Sequence, residues 1–111
     1  MREAVALFNA HAFWKAHEAW ERDWLVAADP HKRFLQGLIQ LAAAYYHVTR
    51  GTYSGGVRLF DAALEKLAGF PDEYGGVDRR NAVEAAVLHR NRIARGERID
   101  PDEYPKLRYN P

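Results

Sequence analysis

The stretch Phe8-Asn9-Ala10-His11-Ala12-Phe13-Trp14-Lys15-Ala16-His17-Glu18-Ala19-Trp20-Glu21-Arg22-Asp23-Trp24 decides what this chain becomes. Phe13, Trp20 and Trp24 recur at spacings of seven and four, with His17 in the same stripe. That is the period of a helix with one apolar face. His17 and Glu21 lie one turn apart, so their side chains meet on the helix surface. Trp24 follows one turn later on nearly the same line, and Phe13 precedes His17 by one turn. An imidazole and a carboxylate therefore stand inside a row of large aromatics, where each is costly to bury unless satisfied.

The rest of the chain repeats the helical theme. A short first helix is expected over residues 2 to 8, with Asn9 placed where a cap would help. The quoted stretch belongs to a second segment, from Ala10 to Ala28. Asp29-Pro30 closes it and opens another helix, since proline suits the first helical position. That third helix runs from His31 to Arg50, with Phe34, Leu35, Leu38, Ile39, Leu41, Ala42, Tyr45 and Tyr46 on a broad apolar face. Gly51 reads as its C-terminal cap. A fourth helix spans Tyr53 to Ala68, and Gly55-Gly56 in its first turn either costs propensity or allows close packing. Phe70 to Gly76 reads as a loop. Asp78 caps a last helix, from Arg79 to Arg95, with Val83, Val87 and Ile93 inward. From Gly96 the chain turns irregular, because Pro101, Pro105 and Pro111 oppose a helix. Tyr104, Leu107 and Tyr109 are placed to pin this tail to the body. The expectation is an all-α fold: a small antiparallel bundle of four to five helices over residues 1–98, with an irregular tail over 99–111.

Composition narrows function more by exclusion than by assignment. The chain has 111 residues, 48% of them hydrophobic, which suits one globular domain. Its formal net charge is +1, with acids and bases interleaved, so nothing demands nucleic acid or anionic lipid. It has no cysteine, which rules out disulfides, thiolate metal sites and a cysteine nucleophile. Met1-Arg2-Glu3-Ala4 lacks the apolar core of a signal peptide, and no run is long enough to cross a bilayer. A cytoplasmic location is the expectation. There is no phosphate-cradling glycine loop, no nucleophile elbow, and Ser54 is the only serine.

Three chemistries fit the His17–Glu21 pair. The two side chains can ligate one divalent metal from a single helix. Glu21 can instead orient His17 as a general base. Or the pair is a buried hydrogen bond that fixes helix register. A metal needs further ligands, and the sequence offers His47 on the next helix. Gln36, Gln40 and His47 share one stripe that could face the second segment across an antiparallel pair. His11 is near enough in sequence to reach the same region. The alternative for His47 is a helix-terminal histidine favoured by the macrodipole. His31 and His89 read as surface or capping residues.

These motifs resemble a known family. His17-x-x-x-Glu21-x-x-Trp24 matches the His-x-x-x-Glu-x-x-Trp/Tyr motif of the domain-of-unknown-function 309 family. Phe8-Asn9 and Ala16-His17-Glu18 look like the family's start, and Phe34-Leu35-Gln36-Gly37-Leu38-Ile39-Gln40-Leu41-Ala42 like its second signature. His47, Arg50-Gly51 and Gly55 through Leu59 look like its third. The resemblance covers residues 5 to 67. Thr52 and Gly56 depart from the family's usual asparagine and alanine. The resemblance implies a prokaryotic helical bundle of unassigned activity, with a suggested metal site at His17 and Glu21 and Trp24 beside it.

Three functions follow as candidates. The first is a metal-binding protein, an enzyme or not, with His17, Glu21 and His47 as ligands and Trp24, Gln36 and Gln40 lining the site; zinc, manganese or iron would suit nitrogen and oxygen donors. The second is a structural or protein-interaction module, a homo-oligomer being the simplest form, with Trp14, Tyr53 and Tyr74 exposed. The third, nucleic-acid binding through Arg79, Arg80, Arg90, Arg92, Arg95 and Arg98, is disfavoured by the acids interleaved among them. No catalytic residue is assigned.

Overall fold

The computed structural model describes residues 1–111. Five helices account for most of the chain: α1 (Arg2–Asn9), α2 (Phe13–Leu25), α3 (His31–Arg50), α4 (Tyr53–Leu67) and α5 (Arg79–Ala94). Each packs on the next in sequence, α1 on α2, α2 on α3, α3 on α4 and α4 on α5. The architecture is the expected all-α bundle. No helix is long and apolar enough to cross a membrane.

The aromatic stripe of α2 fills the centre. Phe13 and Trp20 are buried with Phe8 of α1, Tyr45 of α3 and Phe60 of α4. The Phe8 and Phe13 rings meet edge-on at 5.0 Å, Phe13 stacks on Tyr45 at 5.5 Å, and Phe60 meets Tyr45 edge-on at 4.9 Å. Such offset and edge contacts suit the ring quadrupoles, so these rings fix register as well as bury area.

Small residues set the helix spacing. A Cβ on Gly37 would lie 2.7 Å from Leu67 Cδ2, so α3 and α4 touch through a missing methyl. Gly55 and Gly56 play the same part at the start of α4, against His47 and Ile93 respectively. Close packing, and not disruption, is their role. Gly51 ends α3 at φ 72°, the left-handed cap position expected of it. The Asp78 carboxylate accepts from the Asn81 N–H at 3.0 Å and caps α5.

Several expectations need correction. Asn9 is not a cap: its Oδ1 accepts from the Leu107 N–H at 2.7 Å and its Nδ2 donates to the Leu107 carbonyl at 3.0 Å. That clamp holds the tail, in which Ile99 and Leu107 are buried. Phe70 to Gly76 is not all loop. β1 (Glu73–Tyr74) and β2 (Val77–Asp78) pair antiparallel across Gly75-Gly76, both at positive φ, as a two-residue hairpin turn requires. Tyr109 adds a bridge to Val77. Pro101 does not prevent a 3-10 turn over Pro101–Glu103, because a first helical position needs no N–H. On α5, Val87 and Leu88 are exposed, and the buried stripe is Ala82, Ala86, His89 and Ile93. Tyr53 and Tyr74 are half-buried, whereas Trp14 is exposed.

Candidate functional site

His17 and Glu21 project from α2 as the i, i+4 spacing requires. His17 Nδ1 lies 3.4 Å from Glu21 Oε1, with the imidazole largely covered and the carboxylate half in solvent. The separation is that of an ion pair, but the alignment is not that of a hydrogen bond. His17 Nδ1 and Gln40 Oε1 are the two buried side-chain polar atoms that have no hydrogen-bond partner. Buried polar atoms are nearly always paired, so each exception asks for an explanation.

Aromatic rings frame the pair. Trp14 stacks on the His17 imidazole at 4.5 Å and 19°, and leans on Tyr46 at 5.1 Å. The Arg50 guanidinium lies over the Tyr46 ring, 5.7 Å from its centre. One turn beyond Glu21, Trp24 carries Lys32 Nζ at 4.2 Å from its ring centre. Trp24 and Gln36 then line an open cleft with Asp29, Lys32, Arg33 and Lys66. His17 and Glu21 themselves line none of the four surface clefts.

The other histidines lie elsewhere. His47 Nδ1 is 2.6 Å from Thr52 Oγ1, and its ring packs on Gly55, where a Cβ would approach to 3.1 Å. It thus faces the start of α4. The imidazole and carboxylate atoms of His17, Glu21 and His47 are not within 4.8 Å of one another; the one trio of such residues that is comprises Asp100, Asp102 and Glu103. Those acids are exposed, and Glu103 is held by Arg92 at 2.7 Å and by the Asp100 N–H at 3.0 Å. His11, at φ 63° between α1 and α2, stacks on Phe13 and meets Tyr104 edge-on. His31 stacks on Phe34 near Tyr74.

His89 overturns its surface assignment. It is 4% exposed, and its Nδ1 shares a 2.7 Å hydrogen bond with the hydroxyl of fully buried Tyr45. Burial pushes the His89 pKa down, and the charge of Arg92 pushes it further, with Glu103 opposing. Burial raises the Tyr45 pKa far above a free phenol. Both groups are therefore neutral at physiological pH. A signal existed in the sequence: Ala82, Ala86, His89 and Ile93 fall at helical spacing.

The arginines of α5 and its flank are ion-paired. Arg79 meets Asp72, Arg80 meets Glu84, Arg90 meets Asp61, Arg92 meets Glu103, Arg95 meets Glu97 and Arg98 meets Asp100.

Fold and site together define a class: a helical bundle that sets a histidine–glutamate pair and a tryptophan, one turn apart, along a single helix. The chain belongs to the family described as Domain of unknown function (DUF309), whose model matches residues 1–59. The matched part carries α1, α2, α3 and the first turns of α4, and so every sequence-expected site residue. The chain is also 29% identical over 111 residues to an uncharacterized protein of Aquifex aeolicus (strain VF5). That alignment covers 99% of this chain and 32% of the relative, so the chain spans about a third of the relative's length.

Proposed function

We propose that this bundle binds a divalent metal ion between His17 Nδ1 and Glu21 Oε1. The observation that carries the reading is the pair's geometry. Two ligand atoms at about 2.1 Å from one ion, at a tetrahedral angle, stand about 3.4 Å apart. The pair is separated by 3.4 Å, with no hydrogen bond between its members and no other partner for the nitrogen. A structural hydrogen-bonded pair would close that distance and align the proton. The nitrogen–oxygen donor set, without sulfur, suits zinc, manganese or iron.

The residues around the pair fit this use. Trp14 covers one face of the imidazole and limits how the ring can turn. Glu21 is open to solvent, so further coordination positions would be filled by water or a small molecule. Gln40, whose Oε1 is buried without a hydrogen-bond partner, would supply an amide to orient such molecules in this reading, whereas Gln36 lines the separate cleft beside Trp24. His47, bonded to Thr52 and packed on Gly55, is not a ligand in this reading. A bound ion would supply Lewis-acid polarisation. No reaction is assigned to it.

Elemental analysis of tag-free protein, purified without chelator, tests the proposal beside His17→Ala. Near-stoichiometric metal in the wild type, lost in a variant with an unchanged circular dichroism spectrum, is the expected result. Equal metal in both proteins would overturn it. No metal in either, with none taken up on titration, would make the pair structural and turn the search toward partners.

A further inference from the structure

A second site lies where the end of α2, the start of α3 and the end of α4 meet. Trp24, Asp29, Lys32, Arg33, Gln36 and Lys66 line an open cleft of about 540 Å³. Its charge is not balanced from within. No carboxylate lies within 4 Å of the Lys32 or Lys66 ammonium, and Arg33 has only Glu65 at 3.7 Å, with both of those side chains exposed. The one acid of the cleft, Asp29, accepts the Arg33 backbone N–H at 3.2 Å. The contrast with α5, where each arginine has its carboxylate, is plain.

The local sequence adds to the imbalance. α3 opens with His31-Lys32-Arg33 and has no acid in its first turn. Cations at that end work against the helix dipole. Lys32 is held over the Trp24 ring, 4.2 Å from its centre, which orders the ammonium at the cleft wall. Lys66 lines the same cleft from α4. Three cations drawn from two helices, one amide and one indole make a wall suited to a compact dianion with an organic body. Phosphate is such a group, and lysines bind it as point charges.

We propose that this cleft binds a phosphorylated small molecule. Lys32, Arg33 and Lys66 take the phosphate. Trp24 supplies the apolar wall and Gln36 a polar edge for whatever the phosphate is attached to. Free inorganic phosphate shares the same chemistry. The proposal does not rest on a metal at His17, because none of the three cations touches that pair.

The test is a titration of isotope-labelled protein by amide NMR, with chelator present, using inorganic phosphate, adenosine monophosphate and adenosine. Saturable shifts at Lys32, Arg33, Gln36 and the Trp24 indole are expected with the two phosphates and not with adenosine. Tighter binding of the monophosphate identifies an ester as the ligand, and equal binding identifies the free anion; either supports the site. Lys32→Gln with Lys66→Gln should weaken binding by at least about tenfold, and added salt should weaken it in the wild type. Lys66→Glu, which reverses one wall, should abolish it. His17→Ala should bind phosphate like the wild type, which separates this site from the metal proposal. Shifts that never saturate, that map to the arginines of α5, or that survive unchanged in the double variant would overturn the proposal.

Discussion

Replacing Tyr45 with phenylalanine removes one oxygen from the centre of the bundle and leaves His89 Nδ1 without its 2.7 Å partner. Tyr45 is fully buried and His89 nearly so, so water does not take the place of the lost hydroxyl. An orphaned buried acceptor or donor costs about 1–3 kcal/mol. For a domain near this size that lowers the melting temperature by about 5–15 °C. The loss is a sizeable part of a total stability of roughly 5–15 kcal/mol.

The same pair makes stability depend on pH, and the sign follows from linkage. Burial, with Arg92, holds the folded-state pKa of His89 below its ordinary value of 6.5. Above that value neither state is protonated, and the contribution of the neutral histidine is fully present. As pH falls through it, the unfolded chain binds the proton first, so stability declines until the folded-state pKa is reached. Urea unfolding followed by circular dichroism at about pH 7.5 and about pH 5 reads both effects. His89→Gln, which keeps a hydrogen-bonding group for Tyr45, should lose part of the acid-side decline. A Tyr45→Phe protein as stable as the wild type would refute the reasoning. So would a decline of equal size in His89→Gln.

Two further substitutions probe the packing. Gly37→Ala gains about 1 kcal/mol of helix propensity but drives a methyl to 2.7 Å from Leu67 Cδ2 in a closed core, at a cost of about 1–3 kcal/mol. A lower melting temperature is expected, and a higher one would show that Leu67 yields freely. Asn9→Ala leaves the buried Leu107 N–H and carbonyl unpaired, a loss of about 2–3 kcal/mol, and should speed amide exchange at Leu107. Unchanged protection there would mean that the buried Ile99 and Leu107 side chains hold the tail without the clamp.

What could be read from the sequence was what one helix decides alone. The bounds of α3 follow from Pro30 before it and Gly51 after it. The His17–Glu21 contact follows from spacing along one element and needed no knowledge of the neighbours. His47 was different, because which helix it faces depends on the two glycines that draw α4 against it. His89 reads as a surface residue in the sequence because alanines make up half of the buried stripe of α5, while the larger Val87 and Leu88 point to solvent. Asn9 was assigned to its own helix end, whereas its partner lies in the tail, far along the chain. The two-residue strands are too short to show an alternating pattern, and only Gly75-Gly76 marks their turn.

The ion pairs along α5 carry a consequence for heat. Exposed pairs of this kind contribute little near room temperature, where water competes well for each charge. Charged groups become easier to strip of water as temperature rises, so linked pairs matter more when the protein is hot. Arg92, Glu97, Glu103 and Arg95 form such a linked set, and it ties the end of α5 to the turn at Pro101–Glu103. Two of the fastenings of the tail thus have opposite temperature responses. The apolar burial of Ile99 and Leu107 weakens on cooling. The charged seam beside it strengthens on warming.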